Sequence, residues 1–164
     1  MAIKAVVFDA YGTLYDIQSV ASVTDAAFPG HGEVITQIWR MKQLEFTWLR
    51  SLMDRYADFE AVTAESLRYT LAALDLSADE ATFGAIMDKY RHLDPYPDAR
   101  ATLAALQGFK LAILSNGSRA MLEALVHNSG FAPLLQATLS VDDAQTFKPS
   151  PETYVLVEQK LGVR

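Results

Sequence analysis

The chain has 164 residues, 51% of them hydrophobic and 21% charged, with a formal net charge of −6 at pH 7. That is the composition of an ordinary globular domain long enough to bury a core, and with no basic block it lacks the electrostatic footprint of nucleic-acid binding. Cysteine is absent, which excludes disulfides, thiolate catalysis and Cys-ligated metals; with neither a signal-peptide pattern nor an apolar run of roughly 18 residues, the expectation is a soluble cytoplasmic protein with no membrane or nucleic-acid partner.

Residues 3–8 read as a buried strand, short, apolar and β-branched. Asp9 follows the run Ala5-Val6-Val7-Phe8, with Tyr11, Gly12 and Thr13 close behind. Residues 16–94 have a helical period, with Trp, Met, Arg and Tyr interleaved and no strand signal. One pattern covers Glu33 to Tyr56, where Ile35, Ile38, Trp39, Leu49, Leu52 and Met53 recur near helical spacing. A second covers Thr63 to Leu74 with Thr63 as N-cap, and a third Ser77 to Leu93 with Ser77 and Glu80 as a capping box.

Asp94-Pro95-Tyr96-Pro97-Asp98 is the one Pro-rich linker and marks the return from the insertion. A helix over Ala99 to Leu106 and a strand over Lys110 to Ser115 follow. Ser118 is placed to cap a helix from Arg119 to Asn128, which Gly130 closes. Ala137 to Val141 reads as a third strand. Ser150 and Pro151 fit N-cap and N1 of a last helix from Glu152 to Leu161, ended by Gly162. Strands alternating with helices imply an α/β fold with a doubly wound parallel sheet. The expected division is a first core part over 1–15, a helical insertion over 16–95 and a second core part over 96–164.

Ligand sites of open α/β sheets lie outside the carboxyl ends of the strands. Asp9 stands at such an end, where a carboxylate can act as a nucleophile that splits one difficult step into two. Taken alone, an Asp there is as readily a helix cap. Ser115 and Asn116 end a second strand, although Asn-Gly is also a plain turn dipeptide. Lys148 precedes a proline near the third strand; beside Asp9 it would keep that carboxylate ionised and help place an anionic substrate. Tyr154 is equally a core residue or a site hydroxyl, and composition alone leaves Arg40 a solvated helix charge. His31, His92 and His127 have no metal-ligand spacing, and no metalloprotease, nucleophile-elbow, dinucleotide or P-loop motif is present.

In combination, Asp9-Ala10-Tyr11-Gly12-Thr13, Ile38-Trp39-Arg40, Leu114-Ser115-Asn116-Gly117 and Phe147-Lys148-Pro149 resemble the haloacid dehalogenase superfamily, and more narrowly the L-2-haloacid dehalogenases. Trp48 to Met53 and Tyr56 to Phe59 are similar to the cap of that subfamily. The resemblance implies a Rossmann-like core with a helical cap. Superfamily phosphatases carry a second Asp two residues after the nucleophile, and here that position is Tyr11. A phenol of pKa about 10 is a poor substitute for a carboxyl that must protonate an alkoxide, whereas a halide leaves without a proton. A receiver-type signalling domain also uses an Asp and a Lys-Pro, but it would need an acidic pair where Phe8-Asp9-Ala10 offers one carboxylate.

By this resemblance Asp9 would attack C2 of an L-2-haloalkanoate with inversion, and water would hydrolyse the resulting ester to a D-2-hydroxy acid. Arg40 would meet the departing halide, with Asn116 nearby. Ser115 and Lys148 would orient Asp9, while Ser118 and the amides around Tyr11 would hold the substrate carboxylate. Thr13 and Tyr154 would support the nucleophile and its lysine, and Leu44 and Phe59 would wall the alkyl side. The resemblance implies no metal or cofactor, a 2-haloacid substrate, a halide product and compatibility with a homodimer. Two departures stand out. Met41 occupies a position where the family often has Gln. The family also continues past its Lys-Pro helix with a strand ending in Ser-Ser-Asn and a nearby Asp, while this sequence stops at Gly162-Val163-Arg164. The expectation is therefore a truncated or partial form whose core lacks its C-terminal strands and leaves residues 3–8 as an unpaired edge.

Overall fold

The computed structural model describes residues 2–163. Its strands are β1 (Ala5–Phe8), β2 (Tyr15–Asp16), β3 (Asp94–Pro95), β4 (Lys110–Ser115) and β5 (Ala137–Ser140). Its α-helices are α1 (Ala21–Ala27), α2 (Gly32–Leu52), α3 (Phe59–Ala73), α4 (Glu80–Asp88), α5 (Ala99–Ala105), α6 (Arg119–Asn128) and α7 (Pro151–Leu161). β1, β4 and β5 form a parallel sheet in the order β1-β4-β5. In β4 the five consecutive residues Leu111 to Ser115 are all buried, so both faces of the central strand are covered. β1 pairs with β4 alone among the described residues, and its Val7 stays 38% exposed, as an edge strand would.

α1 to α4 lie between β2 and β3, which pair antiparallel with Tyr15 opposite Pro95 and Asp16 opposite Asp94. This two-residue ladder joins the chain where it leaves the sheet and where it returns. No strand was expected in that region. A ladder so short has no side-chain period to read, and Pro95 tolerates its place because the pairing is at an edge. α2 and α3 pack on one another, and Ile35, Trp39, Val62 and Leu67 from the two are buried in the core.

Two expected helix starts are shifted, each for a local reason. α3 begins at Phe59, capped by the Asp58 carboxylate, which accepts from Ala61 N at 2.8 Å. Thr63 is therefore a buried interior residue, its hydroxyl donating to Phe59 O at 2.6 Å. α4 begins at Glu80, where Asp79 accepts from Thr82 N at 2.8 Å, displacing the expected Ser77 cap. α2 ends at Leu52 rather than Tyr56, because Asp54 turns the chain with a φ of 55°. Ser118 caps α6 as expected, accepting from Met121 N. Pro151 takes N1 of α7, but the Ser150 hydroxyl bonds Glu152 instead of a backbone amide. No helix among the described residues is long and apolar enough to cross a membrane.

Burial pushes the phenols of Tyr15 and Tyr90 up to about 12. Both are neutral in the fold and easier to ionise when unfolded, so between the two pKa values the folded state holds more protons. Their contribution to stability is complete below about pH 10 and is lost as pH rises towards about 12, at up to roughly 2.7 kcal/mol per pH unit for the two together. Urea titrations across this range are expected to show the midpoint falling once pH passes about 10. A midpoint flat to about pH 12 would contradict the burial of these two phenols.

Candidate active site

Parallel pairing brings three strand ends to one side of the sheet. Phe8 is opposite Ile113 and Ser115 opposite Ser140, so Asp9, Asn116 and the loop after β5 emerge together. Lys148 comes back from that loop. Its ammonium donates to Asp9 Oδ1 at 2.7 Å and to Leu114 O at 2.9 Å. Its backbone N–H donates to Asn116 Oδ1 at 2.8 Å. A backbone amide can only donate, so the Asn116 oxygen must face it. The Asn116 NH2 is then left without a protein acceptor among the described residues.

The turn after Asp9 is tight. Ala10 O accepts from Thr13, Leu14 and Tyr15 N, and Gly12 adopts a φ of 88°, a value that favours glycine. This reversal buries Tyr11 against the helical segment. Its ring lies 5.4 Å from Phe59 and 5.8 Å from Tyr90, centroid to centroid. The Tyr11 hydroxyl is buried and has no hydrogen-bond partner among the described residues. Burial, with Tyr90 and Asp9 adding, pushes its pKa well above the usual phenol value, while Arg40 pulls the other way. Gly117 lets this ring in: a Cβ there would lie 2.8 Å from Tyr11 Cε2.

Between sheet and helices opens a cavity of about 770 Å³. Of the expected site residues it is lined by Asp9, Tyr11, Arg40, Leu44, Phe59, Ser115, Asn116 and Lys148. Three others lie elsewhere. Thr13 is exposed on the outside of the turn, its amide bonded to Ala10 O. Ser118 is buried outside the cavity lining, and its hydroxyl accepts the α6 cap bond from Met121 N. Tyr154 is 49% exposed on α7 and borders a second groove, beside β1, that also reaches Asp9 and Lys148 from their other side. Ser115 is in the cavity, but its hydroxyl accepts from Gly117 N at 3.3 Å and makes no bond to Asp9.

The cavity also includes Trp48, Ser51, Leu52 and Thr146, none of which was singled out for the site. Trp48 and Leu52 stand four and eight residues after Leu44 on α2, so helical spacing places them on its face. Ser51 lies in the Trp48 to Met53 stretch that resembles the family's cap, but no local pattern gives it a role in the site. Its Oγ accepts from Phe147 N at 3.0 Å and from the Thr146 hydroxyl at 3.2 Å, tying the end of α2 to the loop that carries Lys148. Among the described residues no three His, Asp or Glu side chains gather where they would hold a metal ion.

The sequence profile of haloacid dehalogenase-like hydrolases matches residues 3–164. The chain belongs to that family. It is 57% identical over 161 residues to the (S)-2-haloacid dehalogenase of Xanthobacter autotrophicus, covering 98% of this chain and 64% of that enzyme. It is 46% identical to the (S)-2-haloacid dehalogenase of Pseudomonas fluorescens, covering 71% of it. The L-2-haloacid dehalogenase structure from Xanthobacter autotrophicus with chloropropionic acid covalently bound superposes with a TM-score of 0.96 at 56% identity, covering 99% of this chain and 66% of that one. The chain thus spans a little under two thirds of the length of this relative.

In this family member the Tyr11 hydroxyl, without a partner among the described residues, is a cost to the fold. Tyr11→Phe is expected to raise the thermal midpoint, by the equivalent of about 1 kcal/mol, since a buried donor without a partner is removed. Differential scanning calorimetry checks this, and a clear fall in the midpoint would mean that the hydroxyl is satisfied.

Proposed function

We propose that the protein is an L-2-haloacid dehalogenase, converting L-2-haloalkanoates to D-2-hydroxy acids through an ester on Asp9. The observation that carries this reading is Asp9, fixed by Lys148, sharing one largely apolar cavity with Arg40. An Asp9 carboxylate oxygen attacks C2 from the side opposite the halogen. The new C–O bond forms as the carbon–halogen bond breaks, and the halide leaves with the bonding pair. Water then adds to the Asp9 carboxyl carbon and the ester C–O bond at that carbon breaks; one water proton goes to the departing alkoxide oxygen and the other to solvent, restoring the carboxylate and releasing the hydroxy acid with C2 inverted.

The roles follow from chemistry at each position. Lys148 holds the attacking carboxylate in one orientation, and its charge also attracts the substrate anion. Arg40 and the free Asn116 NH2 are donors for the halide as its charge develops. Tyr11 is kept neutral by burial and can donate a hydrogen bond to the substrate. It cannot serve as the acid that phosphate-ester cleavage needs from this position. Leu44, Phe59 and Trp48 supply the apolar wall for the alkyl group. The same reading takes residues 16–95 as a cap on a core formed by 1–15 and 96–164. It includes a cytoplasmic homodimer, for which Met41, Leu49, Met53 and Tyr69 offer an exposed apolar face.

The test is halide release from L-2-chloropropionate, with intact mass read at the same time points. Steady release, or one burst with a lactyl group added to Asp9, supports the reading. Asp9→Asn is expected to lower the rate by on the order of 10³ or more, because the nucleophile is gone. Halide release unaffected by that substitution, or no release and no adduct in the parent protein, would overturn it.

A further inference from the structure

Arg40 is held in an unusual way for a cation bordering an apolar cavity. Among the described residues no carboxylate pairs with it. Its one protein partner is neutral: Arg40 Nη1 donates to Gln43 Oε1 at 2.8 Å. Gln43 is fully buried, and its Nε2 donates to Thr63 Oγ1 at 2.7 Å. Thr63 in turn donates to Phe59 O at 2.6 Å. The direction of every bond is fixed. Guanidinium has no acceptor, so the Gln43 oxygen must face it; the amide nitrogen then faces Thr63, and the Thr63 proton goes to the backbone. Trp39 Nε1 clamps the same residue by donating to Thr63 O at 2.8 Å.

We propose that Gln43, locked by Thr63, is a positioning residue that aims the Arg40 guanidinium into the cavity while leaving its charge uncompensated for an anion. A Glu at position 43 would hold the same geometry but neutralise the cation. The amide holds it with a dipole alone, and the buried relay through α3 supplies the rigidity that an ion pair would otherwise give. Gln43 does not line the cavity; it reaches it through Arg40, and its side chain also bonds Tyr90, which packs on Tyr11. The halide-accepting role of that anion site rests on the function proposed above; the relay itself does not.

Two readouts separate the relay from that reading. The first is the burst rate of halide release with L-2-chloropropionate and L-2-bromopropionate. Thr63→Ser keeps the hydroxyl and is expected to stay within about two-fold of the parent, whereas Thr63→Val and Gln43→Met fall about ten-fold with the chloro acid. The loss should be smaller with the bromo acid, whose leaving group needs less stabilisation. Equal losses for both halogens, or Ser and Val behaving alike at position 63, would overturn the proposal. The second readout is the rise in thermal midpoint with sodium bromide at constant ionic strength. The parent should show it and Gln43→Glu should not. If the parent releases no halide, the proposed function fails. A bromide response lost in Gln43→Glu still upholds the relay, and equal responses, including none in either protein, overturn it.

Discussion

Everything at the site depends on one ammonium group reaching two strand ends. Lys148 Nζ bridges the Asp9 carboxylate after β1 and the Leu114 carbonyl on β4. Its own backbone amide is bound by Asn116 at the end of that same strand. The ion pair is partly buried, with about a third of the Asp9 side chain exposed and less of Lys148. Breaking such a pair from one side leaves a charge without compensation. The geometry that prepares the carboxylate thus also fixes the loop after β5 to the central strand, and a disturbance of either is felt by both.

A second constraint is aromatic. Tyr11 from the sheet side packs on Phe59 and Tyr90, Tyr90 meets Trp39, and Phe147 beside Lys148 packs on Tyr56 and Phe59. These rings join the helical segment to the sheet directly around the cavity, where each contact of this kind adds to the burial of area. Hydrogen bonds flank them: Ser51 with Phe147, and Tyr56 with Asp142, which also accepts from Arg119 N at the start of α6. The cavity walls are therefore positioned by packing from three separate stretches of sequence. That explains why a Tyr can stand at position 11 with an unsatisfied hydroxyl: the ring's contacts hold it there.

The parallel sheet was legible because β1 and β4 are short apolar runs that end in polar residues, and the α6 cap because Ser118 precedes a helical period. The β2–β3 ladder was not legible, since two residues per strand carry no pattern and the pairing is made by backbone alone. Thr63 was misread for a physical reason: as a β-branched hydroxyl residue it is a good N-cap by type, but Asp58 caps α3 one turn earlier and leaves Thr63 to bond backward to Phe59. At the site, residue types and strand ends pointed to Asp9, Asn116 and Lys148. They did not show that Thr13 faces outward, because that depends on how Gly12 turns the chain, nor that Ser118 lies outside the cavity lining at the start of α6. Arg40 was ordinary by composition and acquired meaning only through the resemblance and its place in the cavity. Its support by Gln43 and Thr63 is a contact between α2 and α3 that no local pattern encodes.

Charge explains how these pieces fit together. The chain as a whole carries −6, a poor starting point for collecting a small anion. Within the cavity, Asp9 and Lys148 cancel and Arg40 is the one formal charge left over. The surrounding side chains are largely apolar, so the field of that cation is weakly screened and focused towards the space beside Asp9. On the proposed function, the two cations beside Asp9 have opposite tasks. Lys148 must pair with the carboxylate to hold it, and a second cation is useful to a departing anion only if it is not already paired. Holding the first by a carboxylate and the second by an amide satisfies both. The same logic accounts for the burial of Gln43: an exposed amide could turn to water, whereas one enclosed between Arg40 and Thr63 has a single orientation, its oxygen towards Arg40 and its nitrogen towards Thr63.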